Sequence, residues 1–202
     1  MKKLLILCTA LSLIACKKEE KKEEKSGISS AIEGMSNLNK MADKMDDVQK
    51  NMDELKSKTP ASNDELKAVI PETLAGLKRT EITVGGMTAM NLTSAEARYS
   101  GENKNISINI TDGAGEMGSS VISILLMTLN ADMEKTTENG FEKTAEINGS
   151  KAFVSQSKNG ESTDSEVKYI TKGRYMIDAS GEGFTVEELA AALKDIDVSR
   201  LP

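Results

Sequence analysis

Two periods of apolar spacing divide the chain. Between Ile28 and Lys58 apolar residues recur every three or four positions, at Ile28, Ile32, Met35, Leu38, Met41, Met45, Val48, Met52 and Leu55, with no proline among them. This spacing predicts one amphipathic helix over 28–58. From Leu38 onward it follows a heptad, with Leu38, Met45 and Met52 at a and Met41, Val48 and Leu55 at d, the pattern of a coiled-coil seam. Thr59-Pro60-Ala61 breaks the helix, because proline cannot continue it. Ser62 and Glu65 then fit a capping box for a short helix carrying Leu66, Val69 and Ile70 up to Pro71.

Beyond Leu77 the period becomes two. Ile82 and Val84, then Ala95, Ala97 and Tyr99, then Ile106, Ile108 and Ile110 alternate with polar residues, which predicts strands buried on one side and therefore antiparallel pairing. Val121 to Leu129 is apolar on nearly every helical face and predicts a core helix. Asn139-Gly140, Asn148-Gly149, Asn159-Gly160 and Lys172-Gly173 then punctuate alternating runs, a hairpin signal because such pairs accept positive φ. The expected strands are 133–138, 141–147, 150–157, 164–171 and 174–179. A second capping box, Thr185 to Glu188, opens a helix with Val186, Leu189, Ala190 and Leu193 on one face. The expected fold class is α+β over 62–202: an antiparallel meander of about seven to eight strands with helices packed on one face, and a domain boundary near Ala61.

The amino end has a different logic. Met1-Lys2-Lys3 is followed by an apolar run from Leu4 to Ala15, shorter than the ~20 residues that span a bilayer as a helix, so residues 1–15 read as a cleaved signal peptide. Leu13-Ile14-Ala15-Cys16 resembles the lipobox of bacterial lipoproteins. The resemblance implies cleavage between Ala15 and Cys16, a diacylglyceryl thioether on Cys16 and an amide-linked third chain, so that the membrane is a partner held through acyl chains; two or more chains anchor stably. Lys17 after the cysteine is compatible with transfer to the outer membrane in the Gram-negative sorting systems. Cys16-Lys17-Lys18-Glu19-Glu20 is also similar to tetrads that direct some lipoproteins to the outer face, while the lysine–glutamate run within 16–27 equally reads as a solvated tether. Either leaflet is open on these residues.

Composition removes whole classes of function. Net charge is −6, and loss of Lys2 and Lys3 with the signal takes it to −8, so nucleic acid is not expected as a partner. Histidine is absent and the two cysteines are Cys8, inside the signal, and Cys16. No disulfide, no His/Cys metal site, no histidine-based triad and no cofactor is expected. All six aromatic residues, Tyr99, Phe141, Phe153, Tyr169, Tyr175 and Phe184, lie in or near the second half, which puts the packed core there.

One motif looks like chemistry. Gly113, Gly115 and Gly118 form a literal G-x-G-x-x-G between a strand and a helix, an arrangement that can cradle an anion on backbone N–H groups. A dinucleotide fold is disfavoured, since the preceding strand alternates and hairpins follow. Asp112 and Glu116 lack calcium-loop spacing, and the pairs Asp164/Glu166 and Glu187/Glu188 would need to face each other across a cleft to act as glycosidase carboxylates. No catalytic residue is singled out. The expectation is a lipid-anchored envelope protein acting as a non-catalytic binding or interaction module at the outer membrane, with self-association or a protein partner along Ile28 to Leu55. The alternative is a periplasmic carrier of a lipid or other apolar ligand, with Val121 to Leu129 lining its pocket.

Overall fold

The computed structural model describes residues 42–85 and 92–202. One compact unit runs from Lys40 to Pro202. Its first helix, α1, is described over 42–56. Val48 and Leu55, both expected d positions, are buried there, whereas Met45 at an a position is 50% exposed. Asn51, between the two buried positions on the helix surface, donates to the Gly173 carbonyl at 3.0 Å. The boundary expected near Ala61 falls inside this unit, so α1 belongs to the domain rather than to a separate stalk. The signal at 1–15, the tether at 16–27 and residues 28–41 of the expected helix lie outside the described residues, while Ser57 and Lys58 are described and already leave the helix.

Short helix α2 (Asn63–Ala68) begins at the expected capping box: Glu65 donates its N–H to Ser62 Oγ at 3.3 Å and takes the Ser62 N–H on Oε2 at 2.7 Å. The sheet then builds from β1 (Thr73–Leu74), β2 (Leu77–Val84), β3 (Ser94–Ser100), β4 (Asn105–Asp112), β5 (Glu134–Thr137), β6 (Gly140–Ile147), β7 (Ser150–Asn159), β8 (Ser162–Thr171) and β9 (Tyr175–Glu182). Among the described residues these are nine strands, ordered β1-β2-β3-β4-β9-β8-β7-β6-β5, each antiparallel to its neighbour. The fold is α+β as expected, but with nine strands instead of seven to eight. The extra one is β1, which turns into β2 through Ala75 and Gly76 at φ 49° and 78°. Alanine seldom occupies that left-handed conformation, so the turn carried no signal.

Two of the Asn-Gly turns also differ from expectation. Asn148-Gly149 and Lys172-Gly173 hold positive φ at both positions, as the hairpin rule requires. Asn159 instead pairs with Ser162 as the last residue of β7, and Gly160 alone has positive φ, 65°, as suits a turn with glycine first. Gly140 sits inside β6 with ordinary φ. A Cβ there would lie 2.0 Å from the Gln156 carbonyl oxygen, so this glycine serves close approach between strands.

Register separates the two faces. Val154, Val167, Ala179, Ile108 and Ala97 stand opposite one another across β7, β8, β9, β4 and β3. All five are buried in the main core with Leu66 and Val69 near α2 and with Val186, Leu189 and Leu193 from α4 (Val186–Ala192) and the 3-10 turn after it. One residue along each strand, Phe153, Lys168, Asp178, Asn109 and Glu96 form the corresponding row on the open face. Helix α3 (Gly115–Asn130) meets that second face, where its Val121, Ile124, Leu125 and Thr128 approach Phe153, Lys168, Met176 and Asp178.

The helices therefore cover both faces, not one. The connection from β4 explains why: β4 lies mid-sheet and β5 at its far edge. Five strand spacings of ~4.8 Å equal the ~24 Å length of a 16-residue helix. With α2 and α4 on the core face, α3 crosses the other. It is also less buried than a core helix should be: Ile122, Leu125 and Leu129 are covered, but Ile124 is 66% exposed.

Candidate functional site

Two constellations stand out, and the glycine loop is the first. Asp112, at the end of β4, is fully buried and Arg174, just ahead of β9, nearly so. Arg174 Nε donates to Asp112 Oδ1 at 2.7 Å and Nη2 to Oδ2 at 2.8 Å. The same guanidinium reaches the Thr59 carbonyl at 2.8 Å and the Pro202 carbonyl at 3.3 Å, while Asp112 also accepts the Ala61 N–H at 2.7 Å and the Ala114 N–H at 2.9 Å. The pair thus ties the α1–α2 connection, the β4–α3 loop, β9 and residue 202 together. Hydrogen bonding to Asp112 raises the Arg174 pKa despite burial, keeping it charged.

Gly113, Gly115 and Gly118 sit directly beside this pair. A Cβ on Gly113 would come within 2.6 Å of the Arg174 carbonyl oxygen, and one on Gly118 within 2.6 Å of the Asp112 carbonyl oxygen; Gly115 has φ +82°. Two of the three glycines thus let α3 pack onto the end of the sheet and the other allows the turn. The Gly113 N–H donates to the Arg174 carbonyl at 2.9 Å and the Ala114 N–H is held by Asp112. Of this loop's N–H groups, that of Ala114 is therefore taken by the protein's own Asp112 carboxylate and that of Gly113 by the Arg174 carbonyl. Glu116 stands in the first turn of α3, while Asp112 is already committed to Arg174.

The second constellation lies where α3 crosses the open face. Val121, Ile124, Leu125 and Thr128 form one wall and Phe153, Lys168, Met176 and Asp178 the floor of a groove of about 380 Å³, within the roughly 300–1,000 Å³ typical of ligand sites. Its walls are apolar and its floor holds a charge cluster. Lys168 Nζ lies 2.9 Å from Glu166 Oε1 and 3.0 Å from Asp178 Oδ2. Burial works against the Lys168 charge, yet the hydrogen bonds it donates to Glu166 and Asp178 raise its pKa above the ordinary lysine value. Burial pushes the Asp178 carboxyl upward, with Lys168 opposing.

The apolar run Val121 to Leu129 was expected to line a pocket, and its middle part does line this groove. From sequence Phe153 stands out only as one of the aromatic residues and Glu166 only as a carboxylate paired with Asp164; Lys168, Met176 and Asp178 carry no sequence signal of their own. A usable signal existed: the three residues 172–174 between Thr171 and Tyr175 set the β8–β9 register, which places Lys168 opposite Asp178. The pairs Asp164/Glu166 and Glu187/Glu188 do not confront each other. Glu166 binds Lys168, and Glu188 caps α4 by accepting the Thr185 N–H at 2.9 Å. Among the described residues no three of His, Cys, Asp and Glu gather as a metal site, and no helix is long and apolar enough to cross a membrane. Ala15 and Cys16 lie outside the described residues.

No family model matches the chain, and no curated protein matches it. Among solved structures it is similar to the extracellular domain of PknH from Mycobacterium tuberculosis, at 8% identity and a TM-score of 0.38, over 70% of this chain and 97% of that one.

Proposed function

We propose that the protein is a lipid-anchored binding module of the cell envelope, held at the outer membrane by acyl chains on Cys16 and acting without catalysis on a ligand taken up in the groove beneath α3. The observation that carries the reading is the groove itself: an apolar wall and a charged floor on the one face of the sheet that the core leaves open. An apolar body would lie along Val121, Ile124 and Leu125, and burying it there is worth roughly 25 cal/mol per Å² of apolar surface removed from water. The same apolar wall favours the second reading, carriage of a lipid or other apolar ligand in the periplasm. Pairing with a partner or a second copy along Ile28 to Leu55 would use the exposed Met45 in its described part, since Val48 and Leu55 are already buried.

The anchor is tested by Cys16→Ser. Acyl labelling should disappear and the protein should move to the soluble fraction; retention on the membrane would overturn the anchored model. Protease accessibility in intact cells then separates the two readings: cleavage places the module on the cell surface, and protection places a carrier in the periplasm.

A further inference from the structure

The charge on the groove floor identifies the kind of ligand. We infer that the groove takes a small amphiphile with a single cationic head, its apolar body along α3 and its head against Asp178, where Glu166, joined to the floor through Lys168, supplies the second negative charge; this rests on the binding function proposed above. One ammonium, Lys168, faces two carboxylates, Glu166 and Asp178, which leaves one negative charge uncompensated. Elsewhere on this face Lys151 pairs with Asp132, and Arg98 lies between Glu96 and Glu81, but those groups are away from the apolar wall of α3 that lines the groove. None of the α3 side chains lining the groove is charged.

Geometry leaves room for a second cation. Lys168 engages Glu166 through Oε1 and Asp178 through Oδ2, so each carboxylate retains one oxygen facing no donor among the described residues. The three side chains are between 28% and 34% exposed, enough for access while still weakening solvent screening. Burial disfavours the Asp178 anion, and an incoming cation would offset that cost. Phe153 stands opposite Lys168 on the floor and adds aromatic surface to the groove.

The test uses the full chain carrying Cys16→Ser, which needs no detergent, and a matched set of probes: n-decylammonium, n-decanol and n-decanoate, each kept below its aggregation limit. Binding is read from the NMR shifts of the Ile124 and Met176 methyl groups. Decylammonium should bind about fivefold or more tighter than decanol, as befits a partly buried ion pair of about 1 kcal/mol, and decanoate most weakly. Glu166→Gln should bring decylammonium to parity with decanol while leaving the decanol affinity unchanged. Equal binding of decylammonium and decanol, or a preference for decanoate, would overturn the cationic head and leave the groove in place. Absence of methyl shifts with every probe would overturn the groove as well.

Discussion

The two faces of the sheet are made by the same strands, one residue out of step, and they do opposite things. On the core face Val154, Val167, Ala179, Ile108 and Ala97 are all buried and closed over by α2 and α4. On the open face Phe153, Lys168, Asp178, Asn109 and Glu96 stay partly exposed, and α3 crosses them without sealing them. Hydrophobic burial scales with area removed from water, so the closed face supplies stability. The open face keeps ionisable groups within reach of solvent. Alternation alone has therefore divided a sealed face from an accessible one.

The largest effect should come from the pair that bolts both layers together. Arg174→Met removes the guanidinium but leaves Asp112 buried and charged, and breaking such a pair by removing one member costs about 3–5 kcal/mol. Chemical denaturation should show a loss of that size. A loss below about 1 kcal/mol would mean that the four segments meeting there are held by packing alone.

Adjacent residues on β4 give the cleanest contrast between faces. Ile108 is completely buried and Asn109 points the other way. Ile108→Ala should cost about 2–5 kcal/mol through lost burial and the cavity left behind. Asn109→Ala should cost about 1 kcal/mol or less, the size of the one hydrogen bond it accepts from Thr111. Similar losses for both would show that the open face is closed in solution by something further.

Much of this arrangement can be read from residue order, and the failures have physical causes. Strand positions follow from alternation, and both capping boxes form because Ser62/Glu65 and Thr185/Glu188 satisfy amide groups locally. Strand order is not legible in the same way. The meander from β5 to β9 could have joined β4 by either end, and long-range pairing of β4 with β9 leaves no local mark. The face taken by α3 was unreadable because Val121 to Leu129 is apolar all round. The glycine motif was visible, but its cause, close approach of α3 to Asp112 and Arg174, needs the partner strand. The groove is assembled from α3, β7, β8 and β9, and no single stretch announces it.

All three tyrosines belong to the core face, so alkali should probe that layer. Burial pushes Tyr169 up to about 12 and Tyr175 up to about 12, from an ordinary value of 10.0. A group whose pKa is raised on folding contributes stability that is fully present below its unfolded pKa and lost as pH rises through the folded one. Stability should hold below pH 10 and fall between pH 10 and 12, in step with tyrosinate absorbance. Lys168, whose pKa is also raised, adds in the same direction. Tyr169→Phe should flatten the decline; an unchanged slope would mean that Tyr169 does not carry it.

The smallest effect on stability should accompany the largest effect on binding. Ile124 is 66% exposed yet lines the groove. Replacing it by serine removes little buried surface and keeps the helix, since isoleucine and serine have similar helix propensities. Ile124→Ser should shift stability by less than about 0.5 kcal/mol while weakening every probe of the groove, cationic or neutral, because it strips apolar wall rather than charge. That distinguishes it from Glu166→Gln, which should affect only the cationic probe. If Ile124→Ser instead destabilised the fold by 2 kcal/mol or more, a loss of the size expected for core truncation, α3 would be holding the sheet together, and the division of labour between the faces would fail at the helix that crosses them.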